Sequence, residues 1–303
     1  MFVNTLSDYL KSEFGCKLYK LSLSANVTCP NRDGTCGTGG CIFCSEGGSG
    51  EFGADKNLSV TEQIEAAKAL VSRKIKSGKY IAYFQSYTNT YAPLPYLEKI
   101  FTEAVNRKDI SVLSVATRPD CLPDGVISLL EKLNKVKPVW VELGLQTMHE
   151  STAKLIRRGY SLPCFEEAVK RLKAIGVKVI VHIIIGLPGE TEEMIYETAD
   201  YIGKCGADGV KLQLLHVLKN TDLEKMYKSG EMKVLSRDEY FHLLCGCIER
   251  IPKNVVIHRM TGDGPKNLLL APMWSADKRS VLNALNKKLR DENIVQGSKS
   301  KNH

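Results

Sequence analysis

Val177-Lys-Val-Ile-Val-His-Ile-Ile-Ile-Gly-Leu-Pro-Gly-Glu190 is a near-continuous apolar run that stops at a glycine–proline turn. A run of this kind fits a strand buried on both faces. An amphipathic stretch, Pro163–Ile175, precedes it and closes at Gly176. Another, Glu192–Cys205, follows it and closes at Gly206, and Gly209–Leu215 then reads as the next strand. Glycine readily adopts the left-handed turn that ends a helix. Helices alternating with buried strands imply a parallel sheet with right-handed crossovers.

The same alternation extends toward the N-terminus. Val139–Leu145 reads as a strand, followed by a short helix, Ser151–Ile156. Strand Ser111–Thr117 precedes helix Asp124–Leu133, and strand Tyr80–Phe84 precedes helix Leu94–Asn106. Strand Lys17–Ser24 comes first, and a long glycine-rich loop joins it to helix Ser59–Ser77. In that helix Val60, Ile64, Ala67 and Val71 recur at helical spacing, and Ser59 with Glu62 forms a capping box. Six units without a long interruption fit a partial (β/α)6 TIM-type barrel of parallel strands better than a doubly wound sheet. Such barrels place their chemistry at the C-terminal ends of the strands.

Beyond Thr221 the pattern changes. Ser236–Arg250 reads as a helix, Val255–Arg259 as a short strand and Lys278–Glu292 as a basic helix. The division expected is a barrel over 1–220, a helical extension over 221–295 and a disordered polar tail over 296–303.

The chain has 303 residues, 43% hydrophobic and 25% charged, which excludes disorder as its main state. Its longest apolar stretch is interrupted by Lys178 and His182 and is too short to span a bilayer. Residues 1–15 carry Asp8, Lys11 and Glu13 and lack the apolar centre of a signal peptide. A cytoplasmic protein that does not enter the membrane is expected. The net charge of +8 hints at an anionic partner.

Ten cysteines in such a chain are not a disulfide framework. Four fall together in Cys29-Pro-Asn-Arg-Asp-Gly-Thr-Cys36-Gly-Thr-Gly-Gly-Cys41-Ile-Phe-Cys44, directly after the first strand. Thiolates at this density suit a soft metal, as zinc or as an iron–sulfur cluster. The other six read as small buried hydrophobes.

That loop resembles the radical SAM superfamily, and its spacing resembles the YhcC/YtqA-like group, related to the elongator catalytic subunit. The resemblance spans residues from about 17 to 260. It implies that Cys29, Cys41 and Cys44 hold a [4Fe-4S] cluster, with Cys36 surplus and Phe43 beside the cofactor. The fourth iron is then open to S-adenosyl-L-methionine. Tyr83–Tyr91 lacks the usual paired glycines, so Gln85, Tyr87 and Thr88 are positional candidates for the cofactor. Ala116-Thr-Arg-Pro-Asp120 resembles an elongator-type motif with alanine in place of its glutamate, which leaves Thr117 to face the ribose.

Val141-Glu-Leu-Gly-Leu-Gln146 and Ile156-Arg-Arg-Gly159 carry the match further. They imply that Gln146 faces the ribose and that Arg158 binds the cofactor's carboxylate. Glu142 shares a face with Gln146 by even spacing and suggests a lined cavity. Gly186 and Pro188 resemble the adenine-contacting turn, and His182 stands where an aspartate is common. Lys211 and Gln213 share a face, which is either the barrel interior or a surface edge.

The resemblance further implies reductive cleavage of S-adenosylmethionine to a 5′-deoxyadenosyl radical, with a one-electron donor such as flavodoxin or ferredoxin. It implies a tRNA substrate, modified at the C5 substituent of the wobble uridine. The basic residues Lys278, Arg279, Lys287, Lys288 and Arg290 agree with a nucleic-acid partner. Two other readings stay open: a radical enzyme acting on a small-molecule precursor, and a zinc-binding nucleic-acid adaptor that uses all four cysteines.

Overall fold

A computed structural model describes residues 3–48, 55–72, 78–262 and 264–300. Helix α1 (Leu6–Phe14) and strand β1 (Tyr19–Leu23) come first. There follow α2 (Val60–Val71), β2 (Tyr80–Phe84), α3 (Leu94–Asn106), β3 (Ile110–Thr117), α4 (Asp124–Asn134) and β4 (Val139–Gln146). Next are α5 (Glu150–Leu155), α6 (Leu162–Ala174), β5 (Lys178–Ile185), α7 (Glu192–Lys204) and β6 (Gly209–Leu214). The last third holds β7 (Val217–Leu218), α8 (Asp222–Ser229), α9 (Arg237–Arg250), β8 (Val256–Arg259), β9 (Leu269–Ala271) and α10 (Lys278–Asp291).

One sheet runs β1-β2-β3-β4-β5-β6-β8, and every pairing in it is parallel. It is the expected partial barrel, with a seventh strand. That strand, β8, comes from the segment expected to be a helical extension. The short strand expected over Val255–Arg259 is this one; its four residues gave no sign that it pairs with β6 and extends the barrel. A small antiparallel pair, β7 with β9, and the helices α1 and α8 were also not read from the sequence. The predicted helix over 59–77 is capped by Ser59 and Glu62 and runs to Val71; residues 73–77 lie outside the described ones.

The tail also departs from expectation. Gln296 is buried, accepts from the Asn4 backbone N–H at 2.8 Å and donates to the Pro252 and Val255 carbonyls. Residues 296–300 therefore pack on the barrel. An isolated parallel bridge between Thr5 and Ile257 ties the N-terminal segment to β8.

Strand alternation sorts the side chains. Val139, Val141, Leu143 and Leu145 of β4, with Val179, Val181, Ile183 and Ile185 of β5, face outward into the core beneath the helices. The inward residues form layers. Lowest is an apolar plug of Ile81, Val112, Trp140 and Ile180, closed by Leu10 of α1 and Leu18. Above it lies a polar layer with one residue from each strand: Lys20, Tyr83, Ser114, Glu142, His182, Lys211 and Arg259. Highest are Ala116, Gly144, Ile184 and Gln213, at the C-terminal ends of the strands.

Candidate active site

A cavity of about 280 Å³ opens above the polar layer. Cys29, Cys41 and Cys44 line it. Cys36 does not; it lines a separate cavity of about 790 Å³ with Cys121 and Cys164. All ten cysteines are free thiols. The dense loop thus places three of its four cysteines on one cavity and the fourth on another. A site using all four on one ion does not match this arrangement.

The loop is held by backbone bonds within itself and to its neighbours. Arg32 N–H donates to the Cys29 carbonyl at 2.8 Å, Cys36 N–H to Pro30 at 2.8 Å and Gly40 N–H to Asn31 at 2.7 Å. Ile42 N–H reaches the Ile156 carbonyl at 3.2 Å, and the Asn31 side chain donates to the Arg157 carbonyl at 2.7 Å and to Arg158 at 3.2 Å. A Cβ at Gly159 would lie 2.4 Å from Asn31 Oδ1, and Gly159 has φ +83°, so only glycine fits this clamp. Asn31 Nδ2 also lies 3.5 Å from Cys41 Sγ. Chiefly through a hydrogen bond from the Cys44 thiol, with burial opposing, the Cys41 pKa falls to about 7. A thiol poised this way is ready to serve as a thiolate ligand.

The expected cofactor residues divide into three groups. Phe43, Gln85, Tyr87, Thr88, Thr117, Glu142, Gln146, Arg158 and His182 all line the cysteine cavity. Thr88 Oγ1 and Gln146 Oε1 are buried with no hydrogen-bond partner among the described residues. Buried polar atoms of this kind normally have partners, so both are poised for a polar ligand. Gln146 reaches the cavity differently from the even-spacing argument. The β4–β5 register shifts between Gly144 and Gln146, and Gln146 has φ +65°. Ser86 and Tyr87 at the end of β2 also have positive φ, +75° and +56°. A Cβ at Gly48 would meet the Tyr87 ring at 2.6 Å. Non-glycine residues in this region are strained and gather at functional sites.

Arg158 lines the cavity, but four of its five N–H groups are already engaged. Nε donates to the Tyr160 carbonyl, Nη1 to the Leu145 and Thr147 carbonyls, and Nη2 to Glu150 at 2.9 Å. It braces the end of β4, and the geometry does not present it as the receptor of a carboxylate. Gly186 and Pro188 line a different cavity, where Leu235 packs so closely that a Cβ at Gly186 would sit 2.9 Å from it. The structure therefore does not bring the expected adenine turn to the thiols. Thr117 Oγ1 is 2.5 Å from Thr90 Oγ1, which itself donates to the Cys121 carbonyl, so the Thr117 hydroxyl hydrogen goes to Thr90 and its oxygen is left to accept.

The floor is a network around Glu142. Its carboxylate accepts from Lys20 at 2.7 Å, Ser114 at 2.9 Å, His182 at 2.7 Å and Lys211. Burial pushes the Glu142 pKa up, but the charges of Lys20 and Lys211 reverse this and hold it well below the usual carboxylate range. Burial, with the Lys211 charge, drops His182 to about 4, so it is neutral near pH 7. Lys20 and Lys211 each lie 4.6 Å from the centre of the Tyr83 ring. Glu142 and His182 thus shape the floor through one another.

Several residues of this site went unassigned in the sequence. Lys20 alternates with the buried Leu21 and Leu23, so side-chain parity was the available signal. Tyr83 sits in a wholly buried strand and Arg259 ends one of only four residues, and neither carried a comparable signal. Arg118 lies within the quoted Thr-Arg-Pro-Asp motif but had no role. Its guanidinium forms a double hydrogen bond with Asp120, at 2.9 and 2.7 Å, and lies 4.0 Å from Cys29 Sγ. Tyr160 sits between Arg118 and Arg158, its ring 4.9 and 5.0 Å from their guanidinium carbons.

Residues 31–202 match the family described as the radical SAM superfamily, and residues 207–291 match the radical SAM C-terminal domain. The chain is 45% identical over 294 residues to the protein YtqA of Bacillus subtilis (strain 168), which covers 97% of this chain and 91% of that one. It is 30% identical over 165 residues to a tRNA uridine(34) acetyltransferase of Methanocaldococcus infernus, covering 52% of this chain and 30% of that protein. Among solved structures, Elp3 of Methanocaldococcus infernus superposes with a TM-score of 0.70 at 20% identity, over 92% of this chain and 64% of that one. Among the described residues no helix is long and apolar enough to cross a membrane.

Proposed function

Because the chain belongs to the radical SAM superfamily, we propose that its cysteine cavity modifies the C5 substituent of the wobble uridine in tRNA. The family's cofactors are a [4Fe-4S] cluster and S-adenosyl-L-methionine, and the donor set fits both: three cavity thiols and two unpartnered buried oxygens. Cys29, Cys41 and Cys44 would hold the cluster, and Thr88, Gln146 and Gln85 would meet the polar groups of S-adenosylmethionine. Together these groups supply one-electron cleavage of the sulfonium and abstraction of hydrogen from a substrate carbon.

The chain's own residues do the rest. Phe43 and Tyr87 wall the cavity, and Ile184 adds an apolar face that excludes water. The Leu10–Trp140 plug closes the lower end among the described residues, so substrate enters from the C-terminal ends of the strands. Lys211 and Tyr83 meet the group that enters deepest. We place the protein in the cytoplasm, served by a flavodoxin- or ferredoxin-type donor.

What carries the tRNA reading is the likeness to the tRNA uridine(34) acetyltransferase, which extends over 52% of this chain. The net charge of +8 agrees with it. The test is anaerobic 5′-deoxyadenosine formation by reconstituted protein, with and without total tRNA, followed by nucleoside mass spectrometry. Stimulation by tRNA and a changed uridine support the reading. Formation indifferent to every tRNA overturns it in favour of a small-molecule substrate.

A further inference from the structure

Arg118 has five N–H groups and five acceptors. Nε donates to Asp120 Oδ1 at 2.9 Å, and Nη2 to Asp120 Oδ2 at 2.7 Å and the Gly159 carbonyl at 3.5 Å. Nη1 donates to the Arg158 carbonyl at 3.1 Å and faces Cys29 Sγ at 4.0 Å. The guanidinium therefore cannot swing toward substrate without losing these partners. Its side chain is 9% exposed. Burial opposes its charge, but the Asp120 hydrogen bonds and charge prevail, and it stays protonated.

We propose that Arg118, fixed by Asp120, is a positioning residue that sets the reduction potential of the cluster held by the Cys29 loop. The inference rests on the cluster assignment and is independent of the tRNA reading. The physical basis is charge. Reduction adds one electron to the cluster, and a fixed cation close to a ligating sulfur stabilises the more negative state. Net charge and hydrogen bonds to the sulfurs are the protein's means of tuning such potentials. Exclusion of water strengthens both effects. Asp120 is the counterweight, since its carboxylate offsets part of the guanidinium charge. It also lies 4.0 Å from Cys36 Sγ and 3.8 Å from Cys121 Sγ. Cys36 thus stands on the far side of the Arg118–Asp120 pair from Cys29.

The test is a potentiometric titration of reconstituted, anaerobic holoprotein, followed by electron paramagnetic resonance, with iron and sulfide content measured on each sample. Arg118→Gln is expected to lower the midpoint, making the cluster harder to reduce. Arg118→Lys keeps the charge and is expected to restore most of the shift. Asp120→Asn is expected to raise the midpoint. Fully loaded Arg118→Gln and Asp120→Asn proteins that titrate at the wild-type midpoint, or shift in the opposite directions, overturn the proposal. Should Arg118→Gln fail to hold a cluster, Asp120→Asn decides, and an unchanged or lowered midpoint there overturns it. A wild-type protein that takes up no cluster removes the cofactor assignment itself, a failure visible before any titration.

Discussion

Glu142 on β4 accepts a hydrogen bond at 2.7 Å from Nε2 of His182 on the adjacent strand β5, below the cysteine cavity. The imidazole is 16% exposed, and burial together with the Lys211 charge lowers its pKa from 6.5 to about 4. Above pH 6.5 it is neutral in both the folded and the unfolded chain. Between pH 6.5 and about 4 only the unfolded chain takes up the proton, so stability falls as pH falls through this window. The loss from this residue amounts to about 3 kcal/mol. His182→Gln is expected to flatten that part of the profile, read as denaturant midpoints by fluorescence of Trp140 and Trp274. Parallel wild-type and variant curves across the window would refute it.

Glu142→Gln removes the only carboxylate among the seven residues of the polar layer. Lys211, buried beside it, then loses its ion pair and must hold its charge at a cost or give up its proton. Breaking one side of a buried pair costs about 3–5 kcal/mol. The double variant with Lys211→Met is expected to recover part of this loss. Urea unfolding of the four proteins measures the coupling. Strictly additive losses would mean that the two side chains do not act together.

Serine at Cys29, Cys41 or Cys44 is expected to abolish the reduced-cluster resonance, whereas Cys36→Ser is expected to retain it with normal iron content. The two cavities explain the difference, since Cys36 lines the other one. A Cys36→Ser protein that loses its iron would place four ligands on the metal.

On α10, Val281, Leu285 and Leu289 are buried while Arg279, Lys287 and Arg290 face solvent. If tRNA is the substrate, reversing these three charges to glutamate should weaken tRNA binding at least tenfold. It should also flatten the plot of log affinity against log salt, because fewer counterions are released. Filter binding at several salt concentrations reads both. Unchanged affinity and slope would remove this face from the contact.

The strands of the barrel were legible because burial on both faces leaves long apolar runs, as in Val177–Ile185. The density of cysteines in one loop marked a soft-metal site, and the family resemblance singled out Cys29, Cys41 and Cys44, which share one cavity. Other features depend on distance across the fold. Arg158 looked like a ligand for a carboxylate until its four acceptors were in view, and these come from the end of β4, from Glu150 and from its own loop. Gly186 and Pro188 carry the expected turn, yet the segment reaching Leu235 packs over it. Gln146 reaches the cavity through a register shift, which side-chain parity cannot reveal.

The seventh strand has a consequence for how the molecule comes to exist. During synthesis β1 to β6 emerge well before β8, and the outer edge of β6 stays unpaired until residues 256–259 arrive. An open strand edge is a template for wrong pairing. The contacts that finish the sheet join partners far apart in sequence, Thr5 with Ile257 and Asn4 with Gln296. Contacts of such long range slow folding. Completion of the barrel therefore waits on nearly the whole chain.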